Sequence, residues 1–194
     1  VAGVPPDYFS KTGQRWGNPL YRWDVLKERE YDWWVKRVRR TLEMVDIVRI
    51  DHFRGFEASW EIPADAETAV DGEWVKGPGT AFFRSLAEQL GTLPLIAEDL
   101  GLITPEVEEL RDELGLPGMR VLQFGFDGDP KNTHLPDNYT SVSVAYTGTH
   151  DNDTTAGWWQ TLPSDQRHQV KRWMKEQHPS TWDLIRPVFE SSSQ

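Results

Sequence analysis

Three carboxylates stand at the ends of short apolar runs, and their positions pose the chemical question. The first closes Asp46-Ile47-Val48-Arg49-Ile50-Asp51 and is followed by His52. The second closes Leu93-Pro94-Leu95-Ile96-Ala97-Glu98 and is followed by Asp99. The third follows the run 142–146, in Thr147-Gly148-Thr149-His150-Asp151. Short apolar runs bounded by turn signals read as buried strands, so each delivers an acid at its C-terminal end. In a parallel α/β barrel that end is where active sites are built. Carboxylates converging there point to a glycosidic bond, which is cleaved by a pair of them.

Each motif, taken alone, has a structural reading beside the chemical one. Strand alternation puts Arg49 and Asp51 on one face, about 7 Å apart. A guanidinium there keeps a carboxylate ionised, as a nucleophile must be; the same two residues also make an ordinary structural ion pair. Glu98, arriving after Leu95, Ile96 and Ala97, would sit beside apolar walls that raise its pKa and suit a general acid. The alternative is an exposed acid at a strand end. His150 and Asp151, followed by Asn152 and Asp153, read as hydrogen-bonding partners for substrate hydroxyls or as an oxygen-rich divalent-metal site. No second His lies nearby at a ligand spacing, and there is no glycine-rich phosphate cradle.

The elements that must position these acids follow from periodicity. Tyr31, Trp34, Val38, Leu42 and Val45 recur at helical spacing, so a helix with a basic outer face is expected over 27–43, running straight into a strand over 46–51. A second helix is expected over 80–89, stopped by Gly91, and then a strand over 94–98. Thr104-Pro105-Glu106 has a hydroxyl cap, proline in the first turn and an early acid, which together start a helix that Gly115 can end. Strands over 119–126 and 142–147 come next, and a last helix opens at Ser164. Residues 1–24 and 54–79 show no period and read as irregular; a long ordered loop over 1–24 suggests function. Strands alternating with helices mean βαβ units and a parallel sheet. Four strands leave that sheet open, so the chain is expected to be part of a larger barrel.

Composition narrows the classes. The net charge of −10 argues against non-specific nucleic-acid binding, which needs Lys and Arg to neutralise phosphates. No apolar run approaches the roughly 18 residues of a membrane span. The absence of cysteine excludes a disulfide scaffold and thiol catalysis and fits a reducing cytoplasm. Ten Trp residues are many for 194 positions. Flat aromatic faces suit sugar rings, but Trp is also a large core residue, and more than half are expected in the core.

The strings then become specific. Val1-Ala2-Gly3-Val4-Pro5-Pro6-Asp7-Tyr8-Phe9-Ser10, Trp16-Gly17-Asn18-Pro19, Val48-Arg49-Ile50-Asp51-His52-Phe53-Arg54-Gly55, Lys76-Gly77-Pro78-Gly79, Ala97-Glu98-Asp99-Leu100-Gly101 and Tyr146-Thr147-Gly148-Thr149-His150-Asp151-Asn152-Asp153-Thr154 resemble those of the 4-α-glucanotransferases of glycoside hydrolase family 77, the amylomaltases or disproportionating enzymes. The likeness covers essentially the whole chain. It implies a (β/α)₈ barrel, of which residues 1–194 would be about strands four to seven within a single catalytic domain, with 1–24 as an active-site loop and 25–194 as βα units. It implies a retaining mechanism with a covalent glucosyl intermediate and no cofactor or metal. Asp51 stands at the family's nucleophile, Glu98 at its general acid/base, and Asp151, rather than Asp153, at the third carboxylate that orients the sugar. Arg49, His52 and His150 stand at sugar contacts, and Tyr8, Phe9 and Trp16 on the aromatic loop over the glucan groove. The implied partners are α-1,4-glucans: maltooligosaccharides, amylose and glycogen-type chains. An α-glucan hydrolase and a non-catalytic glucan-binding segment are the competing readings.

Overall fold

The computed structural model describes residues 1–7 and 10–193. They form two compact units, Val1–Leu116 and Pro117–Gln194. No helix among the described residues is long and apolar enough to cross a membrane.

The first unit runs β1 (Ala2–Val4), β2 (Gln14–Arg15), α1 (Trp23–Glu28), α2 (Asp32–Leu42), β3 (Val48–Ile50), a 3₁₀ turn (Phe53–Phe56), β4 (Ala58–Glu61), β5 (Glu73–Lys76), α3 (Gly79–Leu90), β6 (Leu95–Ala97) and α4 (Pro105–Glu113). β3 and β6 pair in parallel, Val48 opposite Leu95 and Ile50 opposite Ala97. Parallel neighbours need a long crossover, and here it carries β4, β5 and α3. Residues 1–24 and 54–79 are not irregular throughout. They supply a four-stranded antiparallel sheet in the order β2-β1-β4-β5. Its strands are two to four residues long, too short for alternation to show in sequence. Their pairing is also remote, with Ala2 opposite Glu61.

The core of this unit gathers Val35 and Val38 of α2, Phe82, Phe83 and Leu86 of α3, Leu95 and Ala97 of β6, and Phe53 and Phe56 of the 3₁₀ turn. Phe56 lies 4.9 Å from Phe82 and 5.0 Å from Phe83, ring to ring. Full burial of one such side chain is worth roughly 1.5–3 kcal/mol. Because Phe53 and Phe56 directly follow Asp51 and His52, that energy anchors the end of β3. The helix expected from residue 27 starts only at Asp32, because Glu30 and Tyr31 both adopt φ 54°. A left-handed Tyr is costly; its ring is buried and meets Phe82 edge-on at 5.3 Å, which holds it there. α4 begins where expected, but the Thr104 hydroxyl makes no cap bond to the helix and instead bonds the Glu106 carboxylate.

The second unit runs β7 (Gly118–Val121), 3₁₀ turns (Leu122–Phe124 and Pro136–Asn138), β8 (Ser143–Tyr146), α5 (Thr155–Thr161), α6 (Ser164–Met174) and α7 (Thr181–Phe189). β7 and β8 pair in parallel from Gly118 opposite Ser143 to Val121 opposite Tyr146. The strand expected through residue 126 stops at Val121, where the chain turns to drop Leu122 and Phe126 into a core with Trp158, Leu162, Val170 and Leu184. α5 and α7 were not expected from the sequence. The second had a signal: Ser180 and Asp183 form a reciprocal capping box. The Trp expectation is overturned. Trp158 alone of the ten is buried, while Trp16, Trp33, Trp74 and Trp182 are exposed. The cores are filled by Phe, Leu and Val, whose side chains carry no indole N–H to satisfy.

Candidate active site

In the first unit the register of β3 and β6 sets Asp51 and Glu98 side by side, one step beyond the last paired residues, Ile50 and Ala97. The backbone stays knitted past the strands: Glu98 N–H donates to the Ile50 carbonyl at 3.0 Å, and Phe53 N–H to the Glu98 carbonyl at 3.2 Å. The Glu98 carboxylate accepts one backbone N–H on each oxygen, from His52 at 2.6 Å and from Leu100 at 2.9 Å. Burial pushes its pKa up; those two N–H bonds oppose the rise, the Asp51 charge adds to it and Arg49 counters it. The sequence expectation of a raised-pKa Glu is met: Glu98 is half-buried and directly follows Leu95, Ile96 and Ala97, all buried.

Arg49 Nη2 donates to Asp51 Oδ1 at 2.7 Å, so the expected same-face pair forms. The Asp51 carboxylate nonetheless stays 74% exposed, held at one oxygen and open at the other. His52 adopts φ 51°, ψ 49°, a left-handed conformation that swings the chain from β3 into the 3₁₀ turn. Burial, and then the Arg54 charge, lower the His52 pKa to about 4 against the pull of Asp51, so its imidazole is neutral at neutral pH. Gly55 is fitted to this bend, since an added Cβ would meet the His52 ring carbon at 3.0 Å.

Asp51 and His52 line a cleft of about 690 Å³ with Arg49, Trp16, Ser59 and Glu61. Trp16 meets the His52 ring edge-on at 4.8 Å and is 43% exposed, a face available for stacking. Glu98 does not line the cleft itself; it sits behind His52, whose N–H it accepts. Tyr8 and Phe9 lie outside the described residues. Ser59 and Glu61, alternate residues of β4, had no signal in the sequence, because the strand that carries them was not legible there.

In the second unit the Gly148-to-Thr154 string is a knitted loop. Asn152 Oδ1 accepts from both the backbone N–H and the hydroxyl of Thr149, at 2.8 and 2.9 Å. Gln123 Nε2 donates to the Asp153 carbonyl at 2.9 Å. Asp153 accepts from the Thr154 N–H at 2.7 Å, and Thr154 caps α5 by accepting from Gly157 N–H at 3.1 Å. These four residues do structural work, which leaves His150 and Asp151 presented, 71% and 78% exposed, with His150 Nε2 3.3 Å from Asp151 Oδ2. Asp153 is thus engaged at a helix start, and Asp151 is the acid free to meet a ligand.

Two neighbouring parallel strands thus each end in an acid, a raised-pKa Glu98 and an Asp51 held by Arg49. Residues 1–194 match the family described as 4-alpha-glucanotransferase. The chain is 58% identical over 194 residues to the 4-alpha-glucanotransferase of Thermus thermophilus, covering 95% of this chain and 39% of that protein. It is 57% identical over 172 residues to that of Synechocystis sp., covering 88% and 34%. Its structure is similar to an amylomaltase from Streptococcus agalactiae in complex with acarbose, with a TM-score of 0.94 and 43% identity over all of this chain and 40% of that one. The chain therefore spans about two fifths or less of the length of these relatives. On this match over its whole length and on these identities, the chain, an α/β structure, belongs to the 4-alpha-glucanotransferase family, glycoside hydrolase family 77.

Proposed function

We propose that the protein carrying this chain transfers α-1,4-glucan segments to the 4-OH of glucose or a maltodextrin by a retaining double displacement. One observation carries the reading: a half-buried, raised-pKa Glu98 beside an Asp51 held by Arg49 at the ends of two paired parallel strands. Adjacent strands lie about 4.8 Å apart, and retaining chemistry needs working carboxyls about 5–5.5 Å apart. Asp51 attacks the anomeric carbon while Glu98 protonates the leaving oxygen. Glu98 then takes the proton of the incoming hydroxyl, which attacks the glucosyl–Asp51 ester. Arg49 holds one oxygen of Asp51 in place, and neutral His52 offers a hydrogen bond without adding charge. Asp151 and His150 grip the sugar at −1, Asp151 orienting it toward the distorted transition state.

In this reading the chain contributes βα units to a (β/α)₈ barrel. Trp16 offers an aromatic face that holds the glucan and limits water, so that a sugar hydroxyl wins as acceptor, and the resemblance assigns the same role to Tyr8 and Phe9. The partners are maltooligosaccharides, amylose and glycogen-type chains, and the absence of cysteine fits a cytoplasmic setting. The full-length protein given maltotriose should release glucose and build longer maltodextrins with little gain in reducing ends. Steady release of reducing ends would make it a hydrolase instead. Maltodextrin binding without turnover, unchanged by Asp51→Asn, would make it a binding module. Residues 1–194 expressed alone should give no disproportionation.

A further inference from the structure

We propose that Arg54 and Arg111 form a clamp on the loop 98–102, which makes both of them positioning residues for proton transfer by Glu98; this rests on the acid/base reading of Glu98. The loop leaves β6 carrying the acid and the N–H that the acid depends on. Leu100 N–H reaches Glu98 Oε1 at 2.9 Å, a contact within a single turn that persists only while the turn keeps its shape. Little apolar packing holds the turn: Leu102 is 55% exposed, and Gly101, at φ 83°, gives the backbone freedom there. Beyond Glu98 itself, two arginines reach in to the turn from other elements.

Arg54 comes from the 3₁₀ turn just after Asp51 and His52. Its Nη1 donates to the Leu102 carbonyl at 2.6 Å, its guanidinium lies 3.9 Å from the Trp74 ring centroid of β5, and it is buried to 7% exposure. Arg111 comes from α4. Its Nη1 donates to Asp99 Oδ2 at 2.6 Å, with the Asp99 side chain only 3% exposed, and its Nε and Nη2 are set by Asp112 at 2.9 and 2.8 Å. One arginine thus grips the residue directly after the acid, and the other grips the far end of the turn. Arg111 uses three donors, and Arg54 lays a flat guanidinium on Trp74 while donating to Leu102, geometries the single ammonium of lysine cannot copy. A buried ion pair such as Asp99–Arg111 adds little net stability, so its value here is placement.

The other groups facing Glu98 are Asp51 and Arg49 from β3 and the neutral His52 between them. Arg→Lys substitutions keep all three of these residues and the charge at both arginine positions. What changes is the position of the loop, and with it the burial of Glu98 and the Leu100 N–H bond that act on its proton in opposite senses.

The test uses Arg54→Lys and Arg111→Lys in the full-length protein, with folding checked by urea unfolding. Each should lower kcat about 10- to 100-fold with KM for maltotriose nearly unchanged, the scale of a reacting group misplaced by up to ~1 Å. Each should also displace the alkaline limb of the pH–kcat/KM profile by on the order of half a pH unit. Because both act on one loop, the double variant should lose less than the product of the two single losses. A reduced kcat with an unmoved alkaline limb would mean a merely structural role and overturn the clamp, as would unchanged kinetics. Should Arg54→Lys fail to fold, Trp74→Leu, at a 39% exposed position, carries the same two outcomes. Glu98→Gln serves as reference: full activity in that variant would sink the acid/base reading itself, whereas an inactive Glu98→Gln with undisturbed arginine variants would sink only the clamp.

Discussion

Beyond β6 the Glu98 carboxylate accepts a backbone N–H on each oxygen and is largely shielded from water, whereas beyond β8 Asp151 stands 78% exposed and pairs with His150 at 3.3 Å. Both acids follow a short parallel strand, so strand geometry alone does not separate them. The residues around them do. In the first unit the loop's polar groups close on the acid itself. In the second, Thr149, Asn152, Asp153 and Thr154 bond one another or α5, and Thr149 Oγ1 takes only the backbone N–H of Asp151, leaving its carboxylate out. A group that must move a proton needs burial, which favours its protonated form, and a fixed position, which the two N–H bonds supply while opposing that rise. A group that must grip a hydroxyl needs reach and a rigid base.

The comparison breaks first at Glu98. Replacing it with Gln in the full-length protein should lower kcat by about 10²–10⁴, the usual weight of a general acid/base. Wild-type activity should fall as pH rises through the raised pKa of Glu98, and the variant should lose that limb. Stability follows the same sign. Because the folded-state pKa is raised, the contribution is complete below the ordinary Glu value and disappears as pH rises through the raised one. Glu98→Gln should flatten this slope in urea unfolding midpoints; an unchanged slope would place the buried charge elsewhere.

Asn152→Ala tests the other half. It removes both bonds to Thr149 and leaves Asp151 chemically intact. Each lost bond is worth about 1 kcal/mol, so KM for maltotriose should rise about tenfold as the loop loosens, with the pH limbs in place. A moved limb would mean that the loop governs a proton, contrary to the contrast drawn above.

The smallest effect concerns His52. Its pKa is lowered to about 4, so the stability tied to its neutral form is complete above its ordinary value of 6.5 and is lost as pH falls through about 4. Unfolding midpoints should drop between pH 6.5 and 4, and His52→Asn should reduce the drop. An equal drop in both proteins would mean that the imidazole is solvated rather than buried.

Much of the first unit's chemistry was legible because it is local. Alternation along Arg49-Ile50-Asp51 foretold the ion pair, and the apolar run before Glu98 foretold its burial. The antiparallel sheet was not legible, since strands as short as Gln14–Arg15 show no period and Ala2 meets Glu61 only through tertiary contact. That hid Ser59 and Glu61 from the list of cleft residues. The arginines of the clamp sat in or near recognised strings, but nothing in their spacing says that a carbonyl at Leu102 or a carboxylate at Asp99 awaits them. Trp misled because many of these rings settle at half-buried positions, as Trp60 does with its Nε1 reaching the Ala69 carbonyl at 2.8 Å.

The claim that Asp51 attacks and Glu98 moves the proton is tested most directly by trapping. The full-length Glu98→Gln protein should be given α-glucosyl fluoride, whose leaving group needs little acid assistance, and then digested and mapped by mass spectrometry. The account predicts one glucosyl residue on the peptide carrying Asp51, and none after Asp51→Asn. A glucosyl adduct on another carboxylate, or turnover with inversion at the anomeric carbon and no adduct, would contradict it.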